Sequence, residues 1–206
     1  MTEALAYFKL LHTIIAEGML CAGRAANLVH YLLQCSSLPG DLAEFGCHTG
    51  RTAAMMAFTV SKPIWLYDSF AGLPERKPQD EGSLPHFKRG ALAVSPSTLL
   101  NYFALYRLRE PIVYEGWFSQ IPTNKLPERI CFAHLDGDLY DSLRDSLRLV
   151  YPRLVPGGAC LIDDYGWAGT AGVKIAVDEY LRDKPDRIVP LQTGNPEGFQ
   201  AVIVKI

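Results

Sequence analysis

The chain has 206 residues, of which 49% are hydrophobic and 20% charged, and it carries a formal net charge of −2. That balance belongs to a folded globular domain with enough apolar side chains to build one core, and it excludes extended disorder. Lys and Arg are scattered, with no run longer than a pair, which argues against nucleic acid or an anionic membrane as partner and favours a small molecule.

In chain order, Leu5, Phe8, Leu11, Ile14 and Ile15 recur at helical spacing, and Leu20 to Leu33 continues the pattern, predicting two N-terminal helices that Pro39-Gly40 stops. Short apolar runs then alternate with helical patterns. Buried strands are predicted at Asp41 to Gly46, Ile64 to Asp68, Ile112 to Glu115, Ile130 to Asp136 and Ala159 to Asp163. Helices are predicted at Arg51 to Thr59, Pro96 to Arg107, Leu139 to Leu154 and Ala171 to Arg182. This alternation means βαβ units, an α/β fold with a doubly wound, mostly parallel sheet and helices on both faces. Arg187 to Leu191 and Phe199 to Val204, joined by the Gly, Asn and Pro of Gln192 to Gly198, read as a closing antiparallel hairpin. Residues 1–38 form an N-terminal helical segment, a lid or a homodimer contact, ahead of a domain at 39–206. Gly72 to Gly90, with three prolines, is a long loop that either covers a site or is mobile.

Ligands of an open parallel sheet bind beyond the carboxyl ends of its strands. Those ends read Glu44-Phe45-Gly46-Cys47-His48-Thr49-Gly50, Asp68-Ser69-Phe70, Glu115-Gly116-Trp117, Asp136-Gly137-Asp138 and Asp163-Asp164. Acids and glycines converge on one rim. The ExGxxxG turn lets backbone approach a ligand and presents N–H groups to it, although an ordinary strand-to-helix turn would look alike. His48 stands where a GxGxxG dinucleotide fingerprint has glycine, which disfavours NAD. Asp68 can accept both hydroxyls of a ribose, of NAD or of S-adenosylmethionine (SAM), or instead cap the following loop. Gly116 and Trp117 would then lie beside an adenine, unless Trp117 simply fills the core.

The segments Asp136-Gly137-Asp138-Leu139-Tyr140-Asp141-Ser142 and Gly157-Gly158-Ala159-Cys160-Leu161-Ile162-Asp163-Asp164-Tyr165-Gly166 are the most distinctive. With Asp68-Ser69-Phe70-Ala71-Gly72-Leu73-Pro74 and the glycine turn, they resemble the macrocin O-methyltransferase family of class I SAM-dependent methyltransferases, over roughly Gly40 to Tyr180. The resemblance implies a Rossmann-like, seven-stranded sheet and a Mg2+-dependent methyl transfer from SAM to a hydroxyl, often on a sugar of a secondary metabolite. It also implies a cofactor site drawn from Glu44, Gly46, Cys47, Thr49, Gly50 and Thr52, with Asp68, Ser69, Gly116 and Trp117. A metal has independent physical support, because Asp136, Asp163 and Asp164 end adjacent strands and would repel one another without a cation. Oxygen-only ligands select Mg2+ or a similarly hard ion.

The expected mechanism has the metal lower the pKa of the acceptor hydroxyl while an aspartate, Asp136 first and Asp138 second, takes its proton. His134 reads as a satisfied structural histidine rather than a base. His48 either orients the cofactor or is a solvated loop residue, and His86 could touch substrate. Cys47 shows no His and acid partner pattern and reads as packing. The other cysteines, Cys21, Cys35, Cys131 and Cys160, form no CxxC pair and read as reduced. With no leader pattern and no run approaching the ~20 apolar residues of a membrane span, a cytoplasmic location is expected. Two competing functions are a SAM-binding module without catalysis and an NAD-linked oxidoreductase.

Overall fold

The computed structural model describes residues 3–16, 20–194 and 199–206. Its helices are α1 (Glu3–Ala16), α2 (Ala22–Gln34), α3 (Arg51–Thr59), α4 (Pro96–Leu105), α5 (Tyr140–Val150) and α6 (Ala171–Leu181). Its strands are β1 (Asp41–Phe45), β2 (Ile64–Asp68), β3 (Ile112–Glu115), β4 (Ile130–Leu135), β5 (Leu154–Asp163), β6 (Ile188–Leu191) and β7 (Gln200–Val204). They form one seven-stranded sheet in the order β3-β2-β1-β4-β5-β7-β6. The pairs from β3 to β5 are parallel, and β7 runs antiparallel to both β5 and β6. The doubly wound α/β fold with an antiparallel hairpin is therefore the observed fold; residues 195–198 of the hairpin's loop lie outside the described residues.

Alternation along each strand splits the apolar residues between two cores. Leu42, Leu66, Phe132 and Leu161 meet Leu28 and Leu32 of α2 and Ala53 and Met56 of α3 on one face. Ala43, Phe45, Leu135 and Ile162 meet Leu143 and Leu147 of α5 and Val173 and Val177 of α6 on the other. The N-terminal helices share the first of these cores, with α1 and α2 both against α3. Both faces of β4 are covered, and all six of its residues are buried.

Several ends differ from the sequence reading by a single residue, and three in the alternating region by more, each for a local reason. Strand β5 starts five residues early and runs through Gly157-Gly158, where Gly157 sits at φ +79° and donates its N–H to Lys205 O while Gly158 O accepts Lys205 N–H, instead of ending the strand. Helix α5 stops at Val150 because Tyr151-Pro152-Arg153 tightens into a 3₁₀ turn, Pro152 having no N–H to continue the ladder. Helix α4 stops at Leu105, two residues before Arg107 at φ +54°.

The segment from Gly72 to Gly90 is a folded cover. Leu73 and Gly90 pair across its base, with Leu73 N–H donating to Ala91 O at 2.8 Å and Gly90 N–H to Leu73 O at 2.9 Å. The Arg76 guanidinium donates to the carbonyls of Leu84 and Phe87. Buried Asp80 accepts the N–H groups of Lys77 and, at 2.8 Å, of Tyr140 at the start of α5. Leu73 and Phe87 then form a small third core with Leu139, flanked by Trp167.

Candidate active site

Beyond the carboxyl ends of the strands lies a cavity of about 710 Å³. Gly46 and His48 follow β1, Asp68 and Ser69 end β2, and Trp117 to Gln120 follow β3 along its wall. Asp136 to Asp138 follow β4, Asp164 and Trp167 follow β5, and Asp141, Ser142 and Asp145 reach it from α5. The cover contributes Leu73, Pro74, His86 and Phe87, and α2 contributes Cys21 and Arg24.

The rim is made of sharp turns. Gly46 has φ +90°, and a Cβ there would stand 1.8 Å from the carbonyl oxygen of Asp136, so the ends of β1 and β4 can lie this close only with glycine. His48, Phe70, Asp138 and Asp164 also adopt the left-handed region, at φ 45°, 51°, 59° and 62°. Such backbone is costly for a side-chain-bearing residue, least so for aspartate, and tends to gather at functional sites. Asp68 holds two of these turns: one carboxylate oxygen accepts His48 N–H and the other Phe70 N–H, both at 2.8 Å. The loop-capping role and the ligand-facing position thus coexist, since the carboxylate still borders the cavity with lone pairs to spare.

Of the other residues expected around a cofactor, Gly46, Ser69 and Trp117 border the cavity, whereas Glu44, Cys47, Thr49, Gly50, Thr52 and Gly116 do not line it. Cys47 is buried with its thiol directed to the Glu44 and Tyr67 carbonyls, and burial pushes its pKa well up. Gly50 begins α3 at φ +80°. Glu44 is buried and bonded at 2.8 Å to Nδ1 of His134, whose Nε2 lies 3.2 Å from Asp163. Burial would lower the pKa of His134, but Asp163 and Glu44 on either side outweigh it and hold it well above the ordinary imidazole value. His134 is thus fixed within the structure, pointing away from the face that carries Leu135.

The acids of β4 and β5 do converge. Carboxylate oxygens of Asp136, Asp138 and Asp164 all lie within 4.8 Å of one another. Asp163, expected in this group, uses Oδ1 to accept Gln200 Nε2 at 2.6 Å and to face His134, while its Oδ2 meets Arg24 at 3.3 Å. The other arm of the Arg24 guanidinium donates to Asp164. Desolvation and the charges of Asp163 and Asp164 push Asp136 up to about 8, and desolvation with the charge of Asp136 raises Asp138 well above the usual carboxylate range. Burial would raise Asp163 as well, but His134, Arg24 and Gln200 outweigh it and hold it below that range.

Sequence reasoning did not find Arg24, Asn27 or Gln200. Asn27 donates to Gln200 Oε1 and to Gln192 O, both at 3.1 Å, so a polar string joins α2 to β7, β5 and β4. A signal existed: Arg24 precedes Leu28 by one helical turn, which sets a cation on the apolar stripe of an amphipathic helix. The α5 acids Asp141 and Asp145 were also missed as cavity residues.

This strand order, with a glycine turn after β1 and an acid ending β2, defines a class I SAM-dependent methyltransferase fold. Solved relatives agree. The O-methyltransferase NovP superposes with a TM-score of 0.76 at 25% identity, covering 89% of this chain and 79% of NovP. The calicheamicin methyltransferase CalS11 shares the fold, with a TM-score of 0.71 at 19% identity over 98% of this chain and 91% of its own. The macrocin-O-methyltransferase (TylF) family matches residues 13–191, and the chain belongs to it. It is 32% identical over 165 residues to the 8-demethyl-8-(2,3-dimethoxy-alpha-L-rhamnosyl)-tetracenomycin-C 4'-O-methyltransferase of Streptomyces olivaceus, covering 73% of this chain and 63% of that one. It is 31% identical over 167 residues to the mycinamicin III 3''-O-methyltransferase of Micromonospora griseorubida, covering 73% and 66%. The chain thus matches less than two thirds of the length of these relatives.

Proposed function

We propose that the protein transfers a methyl group from SAM to a hydroxyl of a small molecule, a sugar of a secondary metabolite being the acceptor class most consistent with its relatives. The observation that carries this reading is that one cavity joins the Asp68 and glycine-turn rim to the Asp136, Asp138 and Asp164 group. The first half suits a nucleoside with a charged tail, and the second suits an acceptor that must lose a proton. Asp68 keeps the two rim turns in register, Gly46 leaves room for close approach, and Trp117 offers an aromatic face to a base.

The donor set fits a hard divalent ion, being oxygen-only and crowded enough to repel itself. Asp136, Asp138 and Asp164, the acids whose oxygens converge, would hold Mg2+, while Asp163, expected among them, is engaged by Gln200, His134 and Arg24. When bound, such an ion supplies charge that lowers the pKa of an acceptor hydroxyl. Asp136, or Asp138 in its place, accepts the proton, and the resulting oxyanion is aligned with the methyl group by the cavity walls. Leu73, Phe87 and Trp167 keep bulk water from this end.

The five free cysteines suit a reducing cytoplasm, and among the described residues no helix is long and apolar enough to cross a membrane. Leu5 and Phe8, exposed on α1, make that helix our choice for a homodimer contact.

The test is radiolabelled methyl transfer from SAM to a panel of glycosides, with and without Mg2+, beside calorimetric titration with SAM and NAD. Metal-stimulated transfer to a hydroxyl is expected. Tight SAM binding with no transfer to any acceptor would favour a binding module, and tighter binding of NAD than of SAM would overturn the reading.

A further inference from the structure

Arg24 is a buried cation set among the carboxylates that would hold a metal. It extends from the first turn of α2, its side chain is only 13% exposed, and it borders the cavity with Asp136, Asp138 and Asp164. Its two terminal nitrogens divide between Asp163 Oδ2 and Asp164 Oδ1. Those are the oxygens left over by the framework, since Asp163 Oδ1 is already taken by Gln200 and His134. The fit is incomplete, because the Nε of Arg24 is buried without a hydrogen-bond partner. A guanidinium there for shape would satisfy its whole donor fork. This one satisfies charge and leaves a donor stranded, which makes its place exchangeable. Asn27, one turn on, keeps α2 attached through Gln200 and Gln192 whether or not Arg24 stays.

We propose that Arg24 is a built-in stand-in for the divalent cation: it holds the β5 acids together in the metal-free protein and leaves them when the ion binds, freeing the start of α2. This rests on the metal-assisted reading above. Asp164 belongs both to the converging group and to Arg24, so an ion bound there would bring two cations against one carboxylate, and their repulsion sets ion and guanidinium in competition. The metal's affinity is accordingly set partly by α2, a helix that supplies no ligand.

The test is Mn2+ binding, followed by the electron paramagnetic resonance of the free ion and without methyl donor or acceptor, in wild type, Arg24→Met and Arg24→Lys. Arg24→Met should bind Mn2+ at least about tenfold more tightly than wild type, and Arg24→Lys, which keeps the charge, should stay within about threefold of wild type. In wild type, Mn2+ should also speed alkylation of Cys21, the half-buried residue that caps α2 beside Arg24, and a chelator should reverse it. This second readout needs no variant to fold. Equal or weaker Mn2+ binding by Arg24→Met, or Cys21 reactivity indifferent to the ion, would overturn the exchange while leaving a metal site intact. Absence of Mn2+ binding by both wild type and Arg24→Met would overturn the exchange and the metal reading together.

Discussion

Gly46 is where one atom decides the geometry of the rim. Alanine there would meet the Asp136 carbonyl and would also have to hold φ +90°, so Gly46→Ala should lose about 3 kcal/mol of stability or more. Thermal unfolding measures it, and a change under about 0.5 kcal/mol, the range of a neutral surface substitution, would mean that β1 and β4 can part without cost. Asp136→Asn should abolish methyl transfer and leave SAM affinity within about threefold in calorimetry, since a group acting on the acceptor proton contributes to the chemical step rather than to donor binding. Loss of SAM affinity alone would contradict that assignment. The residue scale is also where the sequence was least explicit. That Asp136 and Asp164 stand at strand ends was readable, because strand ends are. That Asp138 joins them while Asp163 turns inward depends on left-handed turns at Asp138 and Asp164 and on Gln200, which no local pattern encodes.

At the scale of elements, the periodicities were sufficient. Strands β2 and β3 and helix α3 have the boundaries read from the sequence, because alternation and helical spacing report burial on a sheet with covered faces. The larger misreadings in the alternating region involve backbone exceptions: a glycine bulge, a proline turn and a left-handed arginine. Contacts between distant segments were illegible for a different reason. Arg24 meets Asp163 across 139 positions, and Arg76 organises the cover from within it. Arg76→Ala should therefore open the segment at 72–90, seen as faster limited proteolysis there at nearly unchanged melting temperature.

The C-terminal hairpin offers a second element-level case. Asp186 accepts the Ile206 N–H at 2.7 Å, the Lys205 ammonium at 3.1 Å and the Tyr151 hydroxyl. Burial would raise its pKa, but these partners outweigh that and hold it below the usual carboxylate range. A depressed folded pKa contributes stability above the unfolded value, about 4, that is lost as pH falls through the folded one. Asp186→Ala should cost about 3 kcal/mol near neutrality, and the deficit should shrink as denaturation midpoints are followed from pH 6 towards pH 3. A deficit independent of pH would assign the loss to packing instead.

For the molecule as a whole, the sheet order governs how the protein can come into being. Strand β6 precedes β7 in the chain, yet its ladder is made with β7, which lies between it and β5. During synthesis β6 therefore emerges before the strand that connects it to the sheet, and β5 waits with one edge bare. Gln200, which anchors Asp163, belongs to that late strand. Asp163, and with it the contacts it makes to His134 and Arg24, therefore reaches its final arrangement only once β7 has paired with β5.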